Sequence, residues 1–256
     1  MKAFIGIPNV EEIEREEQET KHFARGLNFY KLFWIFFVGS FLGVIVETVW
    51  CLMTRLHLES RVSTLYGPFN HVYGFGALAM ALGLHWAKAT RSGHIMLGGF
   101  LIGSIVEYIS SFVQQVMFGS ASWDYSVLPF NLFGRISLLY SLFWGILAVL
   151  WVRVLYPYFS CLILHIPDKI GKALTWILLV FMIFNTAMTI MAVDRWTQRM
   201  DDTASPAPVW EYFDRHYPDN EMKRLFPNMK FSKVVPKAQL LEGNDWTITG
   251  TRLRAE

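Results

Sequence analysis

Charge is scarce in this sequence. Asp, Glu, Lys and Arg make up 17% of the 256 residues, while 53% are hydrophobic. A soluble domain carries about a quarter charged residues, so the composition excludes an ordinary soluble fold. Cysteine is also scarce. Cys51 and Cys161 lie far apart, in or beside apolar runs, which excludes a disulfide framework. No Gly-x-x-x-x-Gly-Lys-Ser/Thr, Gly-x-Ser-x-Gly or paired-cysteine motif occurs, so nucleotide hydrolysis by a P-loop and soluble-hydrolase chemistry have no support. His57, His71, His85, His94 and His165 show no metal-ligand spacing, and neither metal nor cofactor is expected. The N-terminus is acidic and lacks an apolar h-region. No cleavable signal peptide is expected there, and the first span should act as its own anchor. A net charge of +2 gives no reason to expect nucleic acid.

Long apolar runs are what the chain does have. They predict an all-α polytopic membrane protein with five spans near 31–54, 70–88, 94–118, 133–156 and 173–193, each close to the 20 residues that cross a bilayer. Residues 1–30 form a polar N-terminal segment with a surface helix expected over 9–28. The membrane domain covers 31–194, and 195–256 is a soluble tail. Asp219 after Pro218 is the expected N-cap of a short tail helix ending before Pro227. Ten Lys and Arg residues flank the spans on the N-terminal side and five on the other. The positive-inside rule then puts the N-terminus in the cytoplasm and the C-terminus outside. Further basic residues in the tail keep the opposite orientation open.

Within these spans the sequence repeats. Gly39, Gly43, Glu47, Trp50 and Thr54 recur 60 positions later as Gly99, Gly103, Glu107, Ser110 and Gln114. One face of a 3.6-residue helix holds each set. Pro68-Phe69-Asn70 recurs as Pro129-Phe130-Asn131. Two spans per copy make this a parallel repeat, with copies near 31–88 and 94–156 and the fifth span outside it. Small-x-x-x-small pairs let helices approach closely in lipid. If spans one and three pack at these glycines, Glu47 and Glu107 face a shared interface. Asn70 and Asn131 start the following spans at that depth, either as caps or as ligands. Arg135 lies one turn further in, and its counterpart in the first copy falls near Gly74. Arg135 is therefore expected to pair with one glutamate and leave the other free.

Intramembrane acids are costly, and such residues mark function more often than not. Glu47, Glu107, Asn70, Asn131 and Arg135 are the candidate binding residues, with Tyr73, Trp123 and Tyr140 as further cavity candidates. Trp123, Tyr125 and Trp50 also read as interfacial belt aromatics. Asn185 and Thr189 are expected to hydrogen-bond between helices. Three readings stay open. The first is a transporter-like protein binding a small polar or cationic solute, or relaying protons. The second is an enzyme acting on lipid head groups at the outer leaflet, with a glutamate as general base and Arg135 on phosphate. The third is a scaffold whose tail recruits a partner protein. Membrane lipids surround the chain in all three.

The Gly-x-x-x-Glu spans, Leu65-Tyr66-Gly67-Pro68-Phe69-Asn70, Trp123-Asp124-Tyr125-Ser126 and Asn131-Leu132-Phe133-Gly134-Arg135 resemble a family of bacterial integral membrane proteins, the ABC-transporter permeases of the CmpB type. The resemblance covers about residues 30–155. The tail segments Tyr217-Pro218-Asp219 and Phe226-Pro227-Asn228-Met229 are similar as well. It implies a permease in the bacterial cytoplasmic membrane.

Overall fold

Apolar runs form long helices where an end signal fixes each boundary. A computed structural model describes residues 22–56, 58–85 and 91–231, together with Arg15; the expected surface helix over 9–28 falls largely outside them. Helix α1 (Phe29–Arg55) starts where the Asn28 side chain accepts the Lys31 amide at 3.0 Å, and it ends at Leu56 in the left-handed region. Helix α2 (His71–Gly83) is capped by Asn70. Helix α3 (Ser92–Phe118) ends on Gly119 at φ +60°, which glycine adopts without strain. After two-residue strands β1 (Ser120–Ala121), β2 (Asn131–Leu132) and β3 (Ile136–Ser137), Ser137 caps α4 (Leu138–Leu150). A π-helical turn at Trp151–Leu155 joins α4 to α5 (Tyr156–Leu164) without a break. Helix α6 (Asp168–Met200) follows, then α7 (Pro208–His216), α8 (Asp219–Leu225) and β4 (Lys230–Phe231).

Four of these stretches are long and apolar enough to cross a membrane: Phe29–Thr54, Ser92–Phe118, Leu138–Leu164 and Asp168–Met200. The sequence predicts five. The second is only 13 residues long, about 20 Å at 1.5 Å per residue, which is shorter than a bilayer core of about 30 Å. The fourth begins five residues later than expected because 131–137 folds as a hairpin. The last extends beyond both expected ends.

Glycines set the helix pairs. A Cβ on Gly39 would lie 2.7 Å from that of Ala77, and one on Gly43 would lie 2.2 Å from the Tyr73 ring. A Cβ on Gly99 would lie 2.0 Å from that of Ala148, and one on Gly103 would lie 2.2 Å from the Trp144 ring. Each small-residue pair therefore packs against the helix that follows it, α1 on α2 and α3 on α4. The expected packing of α1 on α3 at these glycines is corrected: the space each pair opens is filled by Tyr73 or Trp144. The core joins Ile35, Ala77, Met80, Ile95, Trp144, Ala148 and Trp151 between these helices.

The two ends of the bundle differ in chemistry. At one end, the Phe23 amide donates to Asp168 and the Trp34 indole donates to Thr175 at 2.9 Å. At the other, the 58–70 and 119–137 connections meet the tail. Strand β4 pairs antiparallel with β1. Asn185, expected to bridge helices, instead grips the loop backbone, accepting from the Tyr66 amide at 3.1 Å and donating to its carbonyl at 2.7 Å. Thr189 accepts the Leu65 amide. Trp196, Phe213, Met222 and Phe226 form a second core beneath the tail.

Carboxylates hold the tail down. Asp214 accepts from Arg195 at 2.9 and 2.6 Å and from Arg199 at 2.6 Å, and Asp219 accepts from Arg199 at 2.7 Å. The hydrogen bonds from Arg195, then those from Arg199, hold the Asp214 carboxyl below its ordinary value of 3.8. A lowered carboxyl contributes stability above the unfolded value and loses it as pH falls through the folded one. Tail docking is therefore expected to be constant from neutral pH down to about 4 and to weaken below that. Hydrogen exchange across α7 would read this out, and Asp214→Asn would remove the acid-dependent step.

Candidate functional site

The two glutamates stand in different surroundings. Glu47, one turn beyond Gly43, accepts the Asn70 side-chain amide at 3.1 Å and lies 3.7 Å from the Arg61 guanidinium. Asn70 fills the expected capping role and also reaches Glu47. Its oxygen caps α2 through the Val72 amide, while its nitrogen bonds Glu47 and the Arg61 carbonyl. Arg61 also donates to Glu59 at 2.9 Å and to the Cys51 sulfur at 3.1 Å. Asn228 of the tail donates to Glu59 at 3.4 Å. This polar cluster thus runs from the membrane domain into the docked tail. Sequence reasoning missed Arg61, which entered only as a basic loop residue. Its six-residue distance from the end of α1 was the available signal, since a short return loop can fold back over that helix.

Glu107 sits on the buried face of α3 with Ile95, Gly99, Gly103, Ser104 and Ser111, and is 6% exposed. One carboxylate oxygen accepts the Tyr125 hydroxyl at 2.8 Å. The other is buried and makes no hydrogen bond of ordinary geometry among the described residues, with the Trp144 indole as a further donor toward the carboxyl group. Tyr125 stacks on Tyr140 with ring centres 4.5 Å apart. The Tyr73 and Trp144 ring centres lie 5.5 Å apart. Tyr140 thus stacks on the phenol that holds Glu107, and Tyr73 packs on Trp144. Tyr125, read as a belt aromatic, proves to be the hydrogen-bond donor to Glu107.

Arg135 pairs with neither glutamate. The expected ion pair is corrected: the guanidinium, 6% exposed, donates to Ser111 at 3.1 Å and to Gln115, and lies over the rings of Tyr108 and Phe112. All of these partners are neutral and on α3. The reason is the backbone between Asn131 and Ser137. Phe133 and Gly134 have positive φ, which ends any helix and turns Arg135 toward another side of α3. Asn131 starts no span. Its side chain donates to the Ser126 and Leu128 carbonyls and accepts the Gly134 amide. The Trp123 indole donates to the Arg135 carbonyl at 2.9 Å, so Trp123 fixes this loop and does not touch either acid. Gly74, near the position that matches Arg135 in the first copy, packs on Ser40 and Phe36 of α1, while Gly145 packs on Met96 of α3.

Two cavities open near the tail. One, of about 390 Å³, lies between 58–60 and 223–227. The other, of about 150 Å³, is lined by Ser63, His71, Gln114, Ser122, Thr186 and apolar neighbours. Neither is lined by Glu47 or Glu107. The His71 ring bridges Ser63 and Thr186 at 3.0 Å each.

The family model described as "Putative ABC-transporter type IV" matches residues 34–190. The chain belongs to this family. The match covers more than half of the protein and includes both glutamates, Asn70, Asn131 and Arg135. With four membrane-length apolar helices, membership makes it a transporter-like integral membrane protein. Searches of the curated proteins and of the solved structures returned no match.

Proposed function

We propose that Glu107 is the working group of a transporter, taking up a proton or a small cation inside the bilayer, with Glu47 as the second acidic position. The observation that carries this reading is a buried Glu107 carboxyl group with no basic partner among the described residues. A buried, ionised carboxylate needs a cationic partner or a full set of donors. Glu107 has only neutral donors, the Tyr125 phenol and the Trp144 indole, and no basic side chain in bonding distance among the described residues. A proton or a cation would complete it. Glu47, held by Asn70 and Arg61, supplies a fixed charge nearby. The Tyr125 hydroxyl on Glu107 is a group that can pass a proton, and Tyr140 stacks on its ring. The matching glycine contacts of α1 on α2 and of α3 on α4 support two copies of one helix pair, each carrying one acid.

The test is proton flux into liposomes containing the full chain and an internal pH dye. Wild type should collapse an imposed pH gradient faster than protein-free liposomes. Glu107→Gln, close in shape and unable to ionise, should lose at least ten-fold in rate, the range that removing one proton-transfer group produces. A folded Glu107→Gln protein with undiminished flux would refute the proposal.

The excess of basic residues on the N-terminal side supports a cytoplasmic N-terminus in a bacterial cytoplasmic membrane, with the tail outside. A cysteine at Val209, exposed on α7, should then be labelled on intact cells by an impermeant maleimide. Labelling only after lysis would reverse the orientation.

A further inference from the structure

The tripeptide Pro-Phe-Asn occurs twice and meets two fates. In the first connection, Phe69 is 7% exposed and packs between Phe37 and Phe181, with ring centres 5.0 and 6.1 Å away. Helix α6 covers this loop through Asn185, Thr186 and Thr189. In the second, Phe130 is 82% exposed and Val127 is 88% exposed, with Leu132 and Phe133 about half exposed beside them. No described helix covers this side.

Residues 126–134, Ser-Val-Leu-Pro-Phe-Asn-Leu-Phe-Gly, contain no charge. The backbone of this hairpin is largely satisfied from within. The Tyr125 amide donates to the Gly134 carbonyl at 2.7 Å, Leu128 to Tyr125 at 2.8 Å, and Leu138 to Phe130 at 3.2 Å. Strand β2 pairs with β3, and Asn131 takes up two carbonyls and one amide. Phe130 and Phe133 both hold φ of 54°, a region that L-residues with bulky side chains avoid. The loop keeps two rings in strained positions that leave them outside the protein core. Irregular backbone approaches hydrocarbon at least cost where its polar groups are bonded internally, and many of those in this hairpin are.

We infer that the hairpin 126–134 inserts Val127, Phe130 and Phe133 into the lipid at the membrane interface. Continuity assigns the occupant. The rim runs on into Leu138, Leu139, Leu142 and Ile146 of α4 and meets Ile109, Val113 and Met117 of α3, all exposed on helices long enough to cross the bilayer. Aromatic side chains concentrate at that depth. Asp124 and Lys230, paired at 3.5 Å, mark the watery side of the loop.

The test places a nitroxide on Phe130→Cys, and separately on Val127→Cys, in the full chain in phosphatidylcholine–phosphatidylglycerol vesicles. Both sites are exposed, so neither change disturbs packing, and native Cys51 and Cys161 are buried. Power saturation compares oxygen, which concentrates in lipid, with a water-soluble nickel chelate. At both positions the oxygen-to-nickel accessibility ratio should exceed that of a label at Val209→Cys several-fold. A ratio equal to that of Val209 would place the hairpin in water and overturn the inference. Shielding from both reagents would show that a protein surface, such as a second copy of the chain, covers it, and would overturn the inference equally. The result does not depend on the role of Glu107.

Discussion

Gly99→Ala is expected to destabilise the protein by about 1–3 kcal/mol, the range for adding a methyl group to a full core. The new Cβ would lie 2.0 Å from Ala148 Cβ and 3.1 Å from the Trp144 carbonyl. Both atoms are fixed to the α4 backbone, so rotamer changes cannot relieve the clash and the helices must separate. Trp144 would then move relative to Glu107 on the neighbouring turn of α3. Gly39→Ala, with its nearest atom at 2.7 Å and the others at 3.4 Å or beyond, should cost less. Gly93→Ala meets nothing within 4 Å and should be neutral, or stabilising by up to about 1 kcal/mol through helix propensity. Unfolding midpoints in detergent titrations rank the three. Equal effects at Gly99 and Gly93 would contradict the close approach of α3 and α4.

Asn185→Leu is expected to cost about 2–6 kcal/mol. Asn185 is fully buried and bonds both the amide and the carbonyl of Tyr66. Leucine would leave a buried donor and a buried acceptor unpaired, at about 1–3 kcal/mol each. The consequence extends past the loop. The 58–70 connection carries Arg61 and Asn70, which hold Glu47. It also carries Tyr66, whose hydroxyl meets that of Tyr217 in the tail at 2.6 Å. Faster hydrogen exchange should therefore appear in 58–70 and in the tail, with α3 and α4 unchanged. A stability change within about 0.5 kcal/mol, the size of an ordinary surface substitution, would contradict this account of how α6 anchors the loop.

The membrane class was legible because low charge and long apolar runs are properties of composition. The buried face of α3 was legible from spacing alone: Gly99, Gly103 and Glu107 fall on one side because the helix period requires it. The capping role of Asn70 was legible for a similar reason, since an amide just before an apolar run caps it; its bond to Glu47 was not. The partners of the charges were not legible. Glu47 pairs with Arg61 because the first return loop folds back over α1, and that depends on the grip of Asn185 on Tyr66, 119 residues away. Arg135 was misassigned because Leu132-Phe133 extends the apolar run of the next helix. Gly134 was the warning, a residue free to adopt positive φ at the point where a helix was expected. The two Pro-Phe-Asn segments look equivalent in sequence, and only α6, which covers one of them, tells them apart.

The central claim is that Glu107 takes up a proton or a cation inside the membrane domain. Infrared difference spectroscopy of the full chain in lipid tests it directly. A pH step, or a step in sodium or potassium at fixed pH, should change the carboxyl and carboxylate bands. The change assigned to Glu107 should vanish in Glu107→Gln and shift in Tyr125→Phe, which removes its hydrogen-bond donor. Identical difference spectra for wild type and a folded Glu107→Gln protein, under both kinds of step, would contradict the account.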